Sequence, residues 1–461
     1  MSLLDVTDTA LAGLRADLTG QALTPGDTGY DEARTIFNAM IDRRPSVIAQ
    51  CADPRDVARA IRFGRDQGLT IAVRGGGHSV AGMSLTEGGL VIDLRRMNDV
   101  RVDPEARTAR VAGGAVMGDL DRAAQSHGLG TTGGRVSTTG VAGFALGGGS
   151  GWLERRFGLA CDNLLSAEVV TADGRQLTAN ADKNPDLFWA LHGGGGNFGV
   201  VTSLTLALHP VGTVTVALFL LPVAAGPEVV QAYRAFIDGA PDEVGGGAIY
   251  LTGPPDPFVP EDLVGKVACG LLVTYLGGER DAREVLEPLT RDGFEPSMVA
   301  EMPYAELQSM LDDPPGMRNY WSAEYLDALP DKAVELYCAR GAAIPSPTAS
   351  QHALFPQGGA VARGPADFPV PWRSAAWVVH PFTLWEDPAE DDHARAWARG
   401  AVAEMQPWSS GAVYLNFIGQ EGRDRVVDGF GEENYRRLAK IKAQYDPDNT
   451  FRLNHNIRPD V

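Results

Sequence analysis

Glycine is concentrated in this chain, and its placement limits what the chain can build. There are 55 glycines in 461 residues, and the densest runs lie at residues 74–79, 140–151 and 193–199. Consecutive glycines expose backbone N–H groups and let the chain pass within contact distance of a ligand such as a pyrophosphate. A single run is an ordinary turn. Three runs, the first reading Arg74-Gly75-Gly76-Gly77-His78-Ser79, point to one cofactor lined by all of them.

The third run contains G-x-G-x-x-G as Gly194, Gly196 and Gly199. A dinucleotide-binding fingerprint of this form follows a strand, opens a helix and has an acidic residue about 20 positions later. Here a helix-like stretch from Asp186 to Leu191 precedes it, and an apolar strand beginning Val200-Val201 follows. The position expected for the carboxylate falls in a Leu-rich strand. The order is reversed, which disfavours NAD at this loop.

Hydrophobic periodicity gives a coarse organisation. Residues 1–20 read as an amphipathic helix with Leu3, Leu4, Leu11 and Leu14 on one face. A strand near Val47 leads into a helix capped by Asp53, and short strands follow near residues 70–74, 90–94, 100–103 and 108–112. Short alternating elements over about two hundred residues indicate an α+β class rather than a doubly wound one. Composition shifts near Pro210. Long strands from Thr213, Gly247 and Val267, with helices over residues 282–290 and 391–405, predict a second domain: an antiparallel sheet with helices on one side.

Charge and cysteine content narrow the function classes. The formal net charge is −19, whereas a phosphate-reading surface needs concentrated Lys and Arg, so nucleic acid is a poor partner. Cys51, Cys161, Cys269 and Cys338 are far apart with no C-x-x-C pair, so neither a disulfide framework nor a metal site is expected. No apolar run is long enough for a bilayer, and residues 1–8 lack the basic and apolar regions of a signal peptide. The expectation is a cytoplasmic protein with no membrane partner.

Five longer motifs carry a resemblance. They are Val73-Arg-Gly-Gly-Gly-His-Ser; Val136-Ser-Thr-Thr-Gly-Val-Ala-Gly-Phe-Ala-Leu-Gly-Gly-Gly-Ser-Gly-Trp-Leu; Gly158-Leu-Ala-Cys-Asp-Asn-Leu; Asn184-Pro-Asp-Leu-Phe-Trp-Ala-Leu-His-Gly-Gly-Gly-Gly-Asn-Phe-Gly-Val-Val; and Tyr445-Asp-Pro-Asp-Asn-Thr-Phe-Arg-Leu-Asn-His-Asn-Ile. With Tyr414-Leu-Asn, they resemble the berberine-bridge-enzyme-like branch of the vanillyl-alcohol-oxidase (PCMH-type) flavoproteins. The N-terminal half looks most similar to bacterial secondary-metabolite members, among them an enterocin-pathway enzyme that uses a flavin-N5-oxide.

The resemblance implies an FAD domain of PCMH type over residues 1–210, a substrate domain over 211–410 and a segment 411–461 that returns to the FAD domain. It implies one FAD per chain, bonded through His78. A neutral imidazole is a competent nucleophile near neutral pH. The implied cofactor-binding set is Arg74, Gly75, Gly76, Gly77, Ser79, Gly82, Val136, Ser137, Thr138, Gly140, Gly143, Gly147, Val200, Val201, Tyr414, Asn416, Asn454 and Asn456. Some members attach the flavin a second time through a cysteine at the position of Val136; Cys161 lies well downstream and reads as core. Attachment through His78 only is therefore expected. Thr139 stands at the position that gates oxygen in the family, and its small size favours an oxidase.

Removing a hydride from an alcohol also needs a base within reach of the hydroxyl. Family members often supply a tyrosine directly after Tyr-x-Asn, but this chain reads Tyr414-Leu415-Asn416-Phe417, and Phe417 cannot take a proton. Candidates elsewhere are Tyr250, on a strand expected to face the flavin, then Tyr304, Tyr320 and Gln357; His352 and His380 read more readily as surface or core residues. The function expected is a covalent-FAD oxidase acting on a small, hydrophobic secondary metabolite with O2 as acceptor. Alternatives are a flavin-N5-oxide-dependent monooxygenase, for which Thr139 and Tyr250 would shape an oxygen pocket, a dehydrogenase, and a flavin-loaded binding protein without turnover. A homodimer is compatible with the pattern, though no interface announces itself.

Overall fold

The computed structural model describes residues 7–460 except 292, 313, 315 and 347. The first helix runs Asp8–Asp17, with the Thr7 hydroxyl accepting from the Ala10 N–H and Leu14 buried. Leu3 and Leu4, expected on the same face, lie outside the described residues.

Strands Val47–Gln50, Leu90–Asp93 and Ile71–Arg74 form a small parallel sheet, with Gln21–Leu23 antiparallel at one edge. Asp53 caps the helix Pro54–Asp66 by accepting from the N–H groups of Arg55 and Asp56. That helix buries Val57, Ala60 and Ile61 against Val47, Ile71 and Leu90. Beside it lies a five-stranded antiparallel sheet in which Val200–Ala207 pairs with Thr108–Ala112 and with Leu164–Val170. The strand that follows the third glycine run is thus central to this sheet, and the run holds a single 3-10 turn, Gly195–Asn197, rather than the start of an α-helix.

The largest sheet has eight antiparallel strands, including Thr213–Pro222, Val267–Tyr275, Val244–Thr252, Gln351–Pro356 and Trp377–Trp385. Helices Gly226–Gly239 and Asp331–Ala342 cover one face and share a core with it through Tyr233, Phe236, Val334 and Tyr337. The mixed helices and antiparallel sheets are the α+β class expected. One element differs. The helix expected over residues 282–290 is two pieces, Glu279–Val285 and Glu287–Arg291. Pro288 has no N–H to continue the helical ladder, which accounts for the break. Among the described residues, no helix is long and apolar enough to cross a membrane.

The C-terminal helix Glu432–Tyr445 anchors the end of the chain to the third glycine run. Lys442 is fully buried, and its Nζ donates to Asn197 O at 2.7 Å, Asp446 Oδ2 at 2.6 Å and Phe451 O at 2.9 Å.

Candidate active site

A cleft of about 350 Å³ separates the glycine runs from the uncovered face of the eight-stranded sheet. Residues from all three runs line it: Gly75, Gly76, Gly77, His78 and Ser79; Val136, Thr139, Gly140, Gly143 and Gly147; and 193–197 with Gly199. Val201, Tyr414, Asn416, Phe417 and Asn454 line it too.

The first run is a cradle made of backbone. Among the described residues, no acceptor within the chain receives the N–H groups from Gly75 to Ser79. Gly77 has φ +79°, and the backbones of Gly76 and Gly140 are in direct contact: a Cβ at residue 140 would lie 2.4 Å from the Gly76 nitrogen. A Cβ at Gly143, Gly195 or Gly196 would meet nothing within 4 Å. Asn454 donates to Phe451 O at 3.0 Å while its buried Oδ1 has no partner. Unpaired N–H groups on a concave backbone suit a diphosphate, and an orphaned buried polar atom at the cleft wall suits a ligand that supplies its missing bond.

His78 sits where the first two runs meet. Its ring stacks on Phe37 with centroids 3.9 Å apart, and its Nε2 lies 2.7 Å from Thr138 Oγ1. Burial lowers its pKa to about 4, so the imidazole is neutral near pH 7. These residues therefore fit FAD: a backbone cradle for its phosphates and a neutral imidazole at the cleft wall.

Several residues of the expected set do not reach the cleft. The Arg74 guanidinium turns back under Gly77 to donate to the carbonyls of Ala33 and Thr35, which braces the loop from behind. Gly82 is packed against Ile41, and its carbonyl accepts from Arg43. Ser137 bonds Asp312 through both its N–H and its hydroxyl, at 2.6 Å each. Thr138 touches His78 without lining the cleft, Val200 is core beside Val170, and Asn456 stands outside the lining. Cys161 is buried in the core, and Val136 occupies the cleft wall.

The expected base needs a larger correction. Residues alternate faces along a strand, so Gly247 and Ile249 face the cleft while Tyr250 points into the helix-side core. A Cβ on Gly226 would lie 1.8 Å from the Tyr250 hydroxyl, which has no hydrogen-bond partner. Tyr304 is buried beside Gly133, the Tyr320 hydroxyl accepts from Arg399 at 3.2 Å, and Gln357 lends its carbonyl to Arg155 at 2.6 Å. None of the four lines the cleft.

The same alternation brings His380 in. Cross-strand register aligns Ile249 with Ala353, and Ala353 with His380, and all three line the cleft; Tyr250 pairs with His352 on the opposite face. His380 Nδ1 lies 2.9 Å from Ser322 O, which makes it the protonated nitrogen and leaves the Nε2 lone pair free. Burial lowers its pKa to about 4. Its ring stacks on Phe417, centroids 4.1 Å apart and planes 13° from parallel. Tyr414, by contrast, has a hydroxyl occupied by Gly149 N at 3.1 Å and Asn416 Nδ2 at 2.9 Å, and burial pushes its pKa up.

Sequence reasoning also missed Arg135, Trp321, Phe355, Phe382 and Asn197, all in the lining. Only Asn197, within Gly-Gly-Asn-Phe-Gly, carried a local signal. It donates to Gly194 O and His455 O and accepts from Ile457 N at 3.0 Å, which ties the third run to the chain's end.

Comparisons agree with this geometry. Residues 45–180 match the FAD binding domain model, and residues 413–458 match the model for berberine and berberine-like proteins. The chain is 31% identical to the uncharacterised FAD-linked oxidoreductase YgaK of Bacillus subtilis, over 96% of this chain and 98% of that protein. It is also 31% identical to (R)-6-hydroxynicotine oxidase of Paenarthrobacter nicotinovorans, over 96% and 97%. Among solved structures, 6-hydroxy-D-nicotine oxidase from Arthrobacter nicotinovorans superposes with a TM-score of 0.82 at 28% identity, covering 96% of this chain and 98% of that one. Berberine bridge enzyme from Eschscholzia californica shares the fold with a TM-score of 0.86 at 23% identity, covering 98% and 99%. With the glycine cradle and His78 at its wall, these likenesses show that the chain belongs to the berberine-bridge-like FAD-linked oxidoreductases and is an FAD-dependent oxidoreductase.

Proposed function

We propose that the chain is an oxidase that holds one FAD, bonded through His78 alone, and oxidises a small, largely hydrophobic secondary metabolite with O2 as acceptor. When bound, FAD supplies a two-electron acceptor for the substrate's hydride and returns those electrons to O2. The observation that carries the reading is a second neutral imidazole, His380, facing the same cleft as His78.

Each residue then has a task. The Nδ1–H bond to Ser322 O fixes the His380 ring and aims Nε2 into the cleft, where it takes the proton of a substrate hydroxyl. Phe417 holds the other side of that ring and offers no competing proton site. Thr139 borders the cleft, and its small side chain supports O2 as the acceptor. Val136 and the buried Cys161 supply no second anchor, which supports single attachment. The oxygen-inserting alternative drew on Thr139 and Tyr250 together, and only Thr139 borders the cleft.

The test is intact mass after acid denaturation, with His78→Ala as control. A single added FAD mass that disappears in the variant is the expected result; a bare chain mass in the wild type overturns covalent attachment. Peroxide yield per substrate consumed then separates oxidation, expected to give one equivalent, from oxygen insertion, which gives none.

A further inference from the structure

The cleft is lined by one charged side chain among the described residues, and it is a cation. Arg135 lines the cleft, and no Asp, Glu or Lys does. Its guanidinium stands 4.1 Å over the Phe355 ring and 5.4 Å from Trp152. Its polar contacts are few and long: 3.4 Å to Ser150 O, 3.4 Å to Ser150 Oγ and 3.3 Å to Glu154 Oε1. Its Nε has no partner. A guanidinium has five N–H donors, and a half-buried one so poorly matched is short of acceptors within the chain. Glu154 forms a 3.3 Å ion pair with it through Oε1 from behind the wall, without lining the cleft itself, and its Oε2 is taken by Gly151 N at 3.0 Å, so one carboxylate bond leaves the other guanidinium N–H groups without a charged acceptor.

The cleft that this cation borders is walled largely by flat aromatic rings: Trp152 and Phe355 against the guanidinium, with Trp321, Phe382 and Phe417 elsewhere in the lining. Arg135 is also close enough to His380 to oppose its protonation, so the two groups act on the same enclosed space. In a cleft with few competing polar groups, a fixed positive charge favours an anion and disfavours a second cation more strongly than it would in water.

We propose that the substrate is an aromatic hydroxy compound bearing a carboxylate, which Arg135 holds while the hydroxyl faces His380. Protonated amines of the same shape are excluded. This rests on the oxidase reading for the position of the reacting hydroxyl, and it adds the charge class of the substrate.

The test is calorimetric titration of the purified holoenzyme with three isosteric probes: 4-(hydroxymethyl)benzoate, 4-(hydroxymethyl)benzamide and 4-(aminomethyl)benzyl alcohol. The benzoate is expected to bind about ten-fold tighter than the amide, and the ammonium weakest, with a charge-assisted hydrogen bond as the source of the difference. Arg135→Gln should bring benzoate and amide to within about two-fold, while Arg135→Lys keeps the order. Ammonium binding as tight as benzoate, no binding of any probe, or an unchanged order in Arg135→Gln overturns the proposal. Should Arg135→Gln fail to fold, the order of the three probes on the wild type still decides it. Purified protein without flavin counts against the oxidase reading; flavin-loaded protein with a reversed charge order counts against this one.

Discussion

On one side the cleft is walled by backbone, and on the other by side chains. The glycine wall leaves no slack where its strands of backbone cross or meet the C-terminal segment: Gly76 meets Gly140, and a Cβ at Gly147 would lie 2.4 Å from Asn416 Nδ2. On the sheet wall, Ile249, Ala353 and His380 stand side by side on adjacent strands, each projecting from a ladder whose hydrogen bonds do not depend on which side chain it carries. A backbone wall can hold a group common to a whole family, whereas a side-chain wall can change its ligand one residue at a time. The first should therefore be intolerant of substitution, and the second tolerant in structure but sensitive in chemistry.

The sharpest test substitutes both walls and reads the same quantity. Gly140→Val places a side chain where only the backbone of Gly76 could yield, so flavin content per protein should fall to near zero. Ile249→Ala should leave that ratio unchanged. Equal losses would erase the distinction.

The second test asks whether the sheet wall carries chemistry. His380→Asn removes the free imidazole lone pair on the sheet wall, and the rate of flavin reduction by substrate should drop about 10²- to 10⁴-fold with flavin content intact. The working form is the neutral imidazole, and burial lowers its pKa to about 4. In the wild type, kcat/KM should accordingly be flat with respect to this group above about pH 5 and fall as the medium is acidified through pH 4. An unchanged rate in the variant would move the base elsewhere.

Third, the backbone wall depends on a remote support. Lys442→Ala leaves Asp446 buried beside carbonyls it cannot bond, and should cost about 3–5 kcal/mol of stability in denaturant unfolding. Flavin should dissociate from a His78→Ala background earlier in the titration than when Lys442 is present. A cost near zero would show that the third glycine run holds its shape unaided.

How much was legible in the sequence follows the same division. Glycine runs announce a backbone wall because only glycine permits the φ of +79° at Gly77 or the contact at Gly140, so residue type reports conformation directly. The sheet wall has no such marker. Tyr250 and Ile249 are neighbours in sequence, and a one-residue error in facing sends every side chain to the wrong side. Strand Trp377–Trp385 is buried along its whole length, so no polar alternation marks the cleft face of His380. Asn197 stands out within its glycine run, but nothing near it in sequence points to Lys442, 245 residues on.

Acid stability distinguishes the faces of the large sheet by a smaller amount. His352 and His380 are buried neutral, with pKa values lowered to about 3 and about 4 from an ordinary 6.5. The unfolded chain therefore binds more protons than the folded one below pH 6.5, and stability falls as pH drops. The penalty reaches about 2 kcal/mol per group at pH 5. His352→Phe should flatten the decline in Tm between pH 7 and pH 5 without changing the rate of flavin reduction, because His352 faces the helices beside Tyr337. A change in rate would place it in the chemistry after all.

The smallest effect is expected at Tyr250. Its hydroxyl is buried against Gly226 with no nitrogen or oxygen partner, leaving only the weakly accepting thiol of Cys338 beside it. A buried donor so weakly paired has lost its water and gained little in exchange, so Tyr250→Phe should leave stability unchanged or raise it by about 1 kcal/mol. Flavin content and the rate of flavin reduction should both match the wild type, since Ile249 and not Tyr250 faces the cleft. A fall in the reduction rate at constant stability would mean that strand Val244–Thr252 presents its other face to the substrate, and that the row Ile249, Ala353 and His380 is not the wall on which the chemistry takes place.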